Sequence, residues 1–318
     1  MDVNVAAKPW LTVIIPSHRG EEWITSALNS LASEGAEGVE ILVIDSSPTS
    51  HAVAMAHGFS GRLRLRVFER PDLSSWHTKT NFGVAACEST HICWLGVDDI
   101  WFPGRAAAVR SWIEAAPEAP LHLGPGAIID KMGRILGVWH CPLPANSKLA
   151  ASFVIERLLV QNFIAAPAPV FRKDAWLRCG GLDENLWYTA DWDMWLKLAA
   201  LGPVYYHDSV TIGFRIHGGS LTISGSRDVA DFADQMLTVL KRHLPILGDS
   251  KIIERTARAS ISVNCALAAV SAGEFRGLTR AALQILRLGP TGIHRYVRDS
   301  RIMERLLPRI RAKLSGAL

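Results

Sequence analysis

Five cysteines in 318 residues are few, and no two of them stand as a Cys-x-x-Cys pair. Cys87, Cys93, Cys141, Cys179 and Cys265 are also odd in number, so neither a disulfide framework nor a zinc knuckle is indicated, and a reducing compartment fits. No apolar run reaches the roughly 18 residues of a membrane-spanning helix. The opening MDVNVAAKPW carries an acid at position 2 and lacks the apolar core of a signal peptide. These absences set the expectation of a cytoplasmic chain. The first strand-like segment is not followed by Gly-x-Gly-x-x-Gly. PSHRG stands there instead, which excludes a dinucleotide dehydrogenase and leaves a nucleotidyltransferase, whose opening loop is also glycine-rich, a distant alternative.

What is present is a composition 49% hydrophobic, enough for a large core and two lobes. The net charge of +4 is unevenly spread. From Gly273 onward ten Lys and Arg face three Asp and Glu, a net of +7, so the rest of the chain is near −3. LTVIIP from Leu11 and VEILVID from Val39 are short, continuous, β-branched apolar runs, as buried parallel strands are. Between them Ile24, Ala27, Leu28 and Leu31 recur at helical spacing, with Gly35 just beyond. Leu63–Glu69 alternates like an edge strand, Asn81–Cys87 reads as a helix and His91–Val97 as another buried strand. Ile128–Trp139 reads as a hairpin around Met132-Gly133, and Trp192, Trp195, Leu196 and Ala199 share one helical face with Asp191 at its start. From Asp228 helical periodicity dominates. The rhythm predicts a doubly wound α/β sheet, whose ligands bind beyond the carboxyl ends of the strands. Pro16 to Arg19, Asp45 and Asp98-Asp99 all fall at such ends.

Two adjacent carboxylates in HICWLGVDDIWFPGR either close a turn and cap the next helix or hold a divalent cation against a diphosphate. Arg215-Ile-His217 offers a late imidazole for the second reading, although a lone His is more often a surface or core residue. Asp45 is either a cap or an acceptor for a pyrimidine ring N–H. Asp72, after Pro71, is a turn residue or a nucleotide contact. Lys79 adjoins the expected phosphate region, and Pro16, Ser17 and Arg19 can meet the nucleotide. Asp191 is a helix cap, a general base, or both. A helix N-terminus there favours the ionised form and lowers its basicity. Asp193, two residues on, points another way and is left a supporting or surface role.

In LTVIIPSHRGEEWITSALNSL, ILVIDSSPTS, KTNFGVAACESTHICWLGVDD, GGLDENLWYTADWDMWLKLA and FRIHGGSLT, over about residues 10 to 222, the chain resembles glycosyltransferase family 2. These are inverting, nucleotide-sugar-dependent enzymes of GT-A fold. The resemblance implies a Rossmann-like mixed sheet and a catalytic domain over 9–224. Residues 9–104 form its nucleotide half and 105–224 its acceptor half, with a helical region and basic tail over 225–318. It implies Asp45 at the base, with Asp72 and Asp98 on the nucleotide. Asp98, Asp99 and His217 would hold Mn²⁺ or Mg²⁺, Asp191 would be the base, and Trp187 and Tyr188 would meet the acceptor. Where the family often has Asp-x-Asp-Asp, Gly96 replaces the first carboxylate. The Gln-x-x-Arg-Trp motif of processive members is absent, which implies single additions. The expected donor is a UDP- or dTDP-sugar and the expected acceptor a glycan or lipid-linked sugar, in surface polysaccharide or glycoconjugate synthesis. A catalytically silent nucleotide-sugar binder is the alternative. The basic tail either lies on anionic lipid at the inner face of the plasma membrane or packs on the catalytic domain. No nucleic-acid motif accompanies it.

Overall fold

In a computed structural model, residues 7–35, 37–220, 228–271, 273–275 and 277–314 are described. The main sheet has eight strands. Arg64–Glu69, Val39–Asp45, Leu11–Ser17 and His91–Trp94 lie side by side in that order and are parallel. Val170–Arg172 then joins antiparallel and links them to Leu121–Leu123, Val204–Tyr206 and Ser147–Leu149. Strand order 3-2-1-4 comes from three crossovers that place helices on both faces, so every residue of Val39–Asp45 is buried. The register pairs Ser17 with Asp45 at the carboxyl ends. A second sheet of Ile100–Trp101, Ile212–Arg215, Gly126–Ile129 and Ile135–Trp139 carries the expected hairpin and brings Arg215 beside the end of the first sheet.

Two elements differ from the sequence expectation. The strand at His91 ends at Trp94, because the chain turns at Gly96, whose carbonyl accepts from Asp99 N at 3.0 Å. The helix expected from Asn81 begins at Trp76, with the Ser75 hydroxyl capping Thr78 N at 3.1 Å. Its polar first turn hides this start from any apolar periodicity.

The helices after residue 228 form the expected C-terminal helical appendage, which packs onto the sheet's core. Val229–His243 and Lys251–Ser271 put Phe232, Met236, Leu240, Ile253, Ala257 and Ile261 into one apolar core with Trp94, Trp176, Trp192 and Trp195. Gly277–Leu286 and Gly289–Ser300 follow, and the last helix, Ile302–Leu314, docks on the strand Ile135–Trp139. Gly137 permits that approach: a Cβ there would stand 2.8 Å from the Pro308 ring. Among the described residues no helix is long and apolar enough to cross a membrane.

Candidate active site

A cavity of about 300 Å³ opens where the two sheets and the C-terminal helices meet. Pro16, Asp98, Asp99, Tyr188 and Asp191 all line it, so residues up to 175 positions apart in sequence face one space.

At the carboxyl ends of the first two strands, outside the cavity lining, the Asp45 carboxylate is buried and accepts from the Ser17 hydroxyl at 2.5 Å, Ser47 N at 2.8 Å and the Ser47 hydroxyl at 3.0 Å. Three of its roughly four acceptor directions are thereby used within the protein. Arg19 is exposed, in the left-handed region at φ 51°, with its N–H donating to the Ser47 hydroxyl. Lys79, expected at the nucleotide, sits beneath this loop. It does not stand at the cavity but is buried, with Nζ donating to the Ser46 hydroxyl at 2.7 Å. Burial pushes it down to about 8, against the pull of Asp45. Its cation therefore supports the strand-end loop from below. Asp72 is exposed and held bidentate by Arg70 at 2.6 and 2.8 Å, and like Asp45 it lies outside the cavity lining.

The Asp98-Asp99 turn is clamped from the second sheet. Arg215 Nε donates to the Asp98 carbonyl at 2.6 Å, and its NH1 to the carbonyls of Asp130 and Lys131, both at 2.8 Å. Its guanidinium lies 4.9 Å from the Trp23 ring. Asp99, expected as a metal ligand, turns inward instead and accepts from Arg215 N at 2.8 Å. Burial first, and the neighbouring Asp98 second, raise its carboxyl well above the usual range. Asp98 differs: its Oδ2 meets His217 Nε2 at 3.0 Å, with the imidazole tilted on Trp23. Gly96 is the reason both carboxylates fit, since a Cβ there would lie 2.5 Å from Asp99 Oδ2 and 2.8 Å from Asp98 Oδ1. The space that a side chain at 96 would need is filled by the next two acids.

Among the described residues no cluster of three or more His, Cys, Asp or Glu is assembled for a metal. Asp98 and His217 nonetheless give one hard oxygen and one nitrogen at the cavity edge. A Mg²⁺- or Mn²⁺-type ion that shares the oxygens of a diphosphate asks for no more from the protein.

At the other end, Thr189 precedes the helix Ala190–Ala200, and Asp191 is its second residue. Asp191 Oδ1 accepts from Trp192 N at 2.7 Å, and Oδ2 from Asn162 Nδ2 at 3.2 Å. Burial outweighs these bonds and pushes the carboxyl up to about 6. The expectation that the helix terminus lowers its basicity is thus reversed, because desolvation costs the charge more than one turn of amide dipoles returns. Tyr188 lines the cavity, edge-on to Phe232 at 4.7 Å. Trp187 stands behind that wall: its ring lies edge-on to Tyr188 at 5.6 Å, and its indole N–H donates to Asp231 at 2.5 Å. Asp193 is fully buried, in contact with Lys197 at 2.6 Å and with Arg242 and His243 at 2.8 Å. Burial alone would raise it, yet hydrogen bonds from His243, Lys197 and Arg242 hold it at about 2.

Sequence reasoning missed the third wall. Gln161, Asn264, Arg305 and Arg309 also line the cavity, from the C-terminal helices and the end of Ala151–Val160. Arg305 and Arg309 stand four apart in a basic tail, and that spacing alone is equally that of a solvated face.

Residues 12–121 match the family described as Glycosyl transferase family 2. An uncharacterised glycosyltransferase of Rickettsia prowazekii is 22% identical over 241 residues, 74% of this chain and 72% of that protein. A Rickettsia felis relative is 24% identical over 230 residues, 69% of this chain but 36% of its own length. In fold, the chain is similar to S. aureus TarS 1-349 in complex with UDP-GlcNAc, with TM-score 0.60 and 15% identity, over 92% of this chain and 79% of that one. It is also similar to the mannosyltransferase PcManGT from Pyrobaculum calidifontis in complex with GDP-Man and Mn²⁺, with TM-score 0.52 and 15% identity, over 96% and 87%.

Proposed function

The chain belongs to glycosyl transferase family 2 with a GT-A fold, and from that premise we propose that it adds single sugars, with inversion, from a nucleotide diphosphate sugar to an acceptor hydroxyl. The observation that carries this reading is one cavity lined by Asp98 at its donor end and by Asp191 at its acceptor end. Asp191 takes the proton of the acceptor hydroxyl, whose oxygen bonds to the anomeric carbon as the bond from that carbon to the diphosphate oxygen breaks on the opposite face. A carboxyl near 6 is ionised at neutral pH yet more basic than an ordinary aspartate, which suits it to that task. Asp98 and His217 would hold the divalent cation. Bound there, it would neutralise the leaving diphosphate.

A pyrimidine nucleotide is the favoured donor carrier, and the TarS complex with UDP-GlcNAc supports including UDP-sugars first. A screen of nucleotide sugars by melting temperature, with and without Mn²⁺, followed by nucleotide release in the presence of acceptor extracts, tests the whole reading. We expect Mn²⁺-dependent stabilisation by one donor class. Excess chelator should stop turnover, and Asp98→Ala should reproduce that loss. Full turnover in chelator would remove the cation from the reaction, and donor binding without any turnover would leave a nucleotide-sugar binder.

Membrane contact is proposed for a different helix from the one the basic tail suggests. Ile302–Leu314 docks on the strand Ile135–Trp139, with Met303, Leu307 and Ile310 still exposed, whereas Leu278, Arg280, Leu283 and Leu286 of the helix Gly277–Leu286 are exposed between the exposed Phe275 and Arg287. Apolar and basic side chains on one short helix suit the headgroup region of anionic lipid. Co-sedimentation with phosphatidylglycerol vesicles should weaken with salt and be lost in Leu283→Glu/Leu286→Glu. Binding that survives both changes would rule this surface out.

A further inference from the structure

Ile302–Leu314 brings two guanidinium groups to the cavity for which the transfer chemistry has no use. Arg305 and Arg309 are i and i+4 and share a helix face. Their neighbours in the tail are matched with acids: Arg295 lies 3.7 Å from Glu156, Arg298 2.6 Å from Asp299 and Arg301 3.1 Å from Glu304. Among the described residues, Arg305 and Arg309 form no ion pair. Arg305 reaches the Asn264 side-chain oxygen, at 3.3 and 3.4 Å, and lies over the Trp139 ring at 5.8 Å, while its Nε is buried without a partner. Arg309 donates to the Arg305 carbonyl at 2.8 Å.

Two like charges side by side, with Trp139 and Tyr188 among the walls, are unfavourable without a counter-charge. Burial, and then the charge of Arg309, push Arg305 down to about 10. Resting on the function proposed above, we infer that Arg305 and Arg309, steadied by Asn264, form a subsite for a phosphate group carried by the acceptor. One guanidinium fork is enough for a planar carboxylate, whereas two forks on one face suit a tetrahedral oxyanion of higher charge. The subsite is also tied to the base. Asn264 Nδ2 donates to Gln161 at 2.7 Å, and the next residue, Asn162, donates to Asp191. One acceptor molecule can therefore present its phosphate to the arginines and its hydroxyl to Asp191.

The test is calorimetric titration of the full chain, with its donor site saturated by the nucleotide found in the donor screen. Glycerol phosphate stands for polyol phosphates and farnesyl phosphate for lipid-linked ones. Both share the recognised group, and the tighter of the two identifies the source. Arg305→Met and Arg309→Met should each weaken glycerol phosphate about tenfold or more, since each removes charge-assisted hydrogen bonds. Neither should lower the melting temperature, because an unmatched cation is replaced by an apolar chain of similar length. If one variant fails to fold, the other carries the comparison. The inference is overturned if the wild type does not bind phosphate, if both variants bind it unchanged, or if glucuronate at equal ionic strength binds as well. Nucleotide binding is scored separately. Its failure alone would sink the donor reading, and failure of phosphate binding alone would sink only this subsite.

Discussion

Asp191→Asn is expected to lose turnover by about 10²–10⁴-fold, the usual contribution of a positioned general base. The amide oxygen can still accept from Trp192 N, so the start of its helix stays capped. Donor affinity should hold, because the donor-end groups Asp45 and Asp98 come from other strands. The wild-type rate should climb with pH through about 6, as the carboxyl ionises. Stability moves the other way. An acid raised from 3.8 in the unfolded chain to about 6 in the folded one binds its proton more tightly when folded, so stability falls as pH rises through that window. Above it, the wild type carries a desolvated charge that the Asn variant lacks. At pH 8 the variant should therefore melt higher, by about 2–4 °C for each kcal/mol released, and the two should converge near pH 4. A variant within a few-fold of wild-type turnover would mean that the base lies elsewhere.

Asp193→Asn should behave in the opposite manner, as a folding mutant. It removes the common partner of Lys197, Arg242 and His243 from a fully buried position, a change that typically costs about 3–5 kcal/mol. The depressed carboxyl contributes stability that is present above its unfolded value near 4 and is lost as pH falls through about 2, so the deficit should be full at neutrality. Chemical denaturation of the two Asn variants side by side separates the roles. Near-native stability with lost turnover in Asp193→Asn would exchange the assignments.

Much of this site could be read from the sequence because parallel strands announce themselves. Leu11–Ser17 and Val39–Asp45 are unbroken β-branched runs, and the polar residues just after such runs face the cleft by topology. What a carboxylate does once there depends on its neighbours across the chain. Asp98 and Asp99 are adjacent in sequence, yet Arg215 N and the crowding over Gly96 turn one inward and leave the other beside His217. Asp191 and Asp193 are separated in the same way: burial raises one, while hydrogen bonds from His243, Lys197 and Arg242 depress the other. Lys79 could not be placed, since its burial depends on Ser46, 33 positions earlier. Arg305 and Arg309 were beyond reach for the same reason. A basic amphipathic helix carries no mark of which face finds a partner.

That last helix bears on the order in which the protein comes into being. The parallel strands that carry Ser17 and Asp45 lie before residue 100 and pair with near neighbours, so a growing chain can fold them before Arg215 and His217 arrive to clamp and face Asp98. The acceptor end cannot be completed until residues 302–314 have been synthesised and have docked, through contacts such as His140 N to Glu304 that span 164 positions. Closing so long a loop is among the slower steps of folding. During synthesis the chain thus passes through a stage at which the first parallel strands are formed while the cavity wall from 302–314 is still open, and anything fused to or cut from its carboxyl-terminal side acts first on that wall.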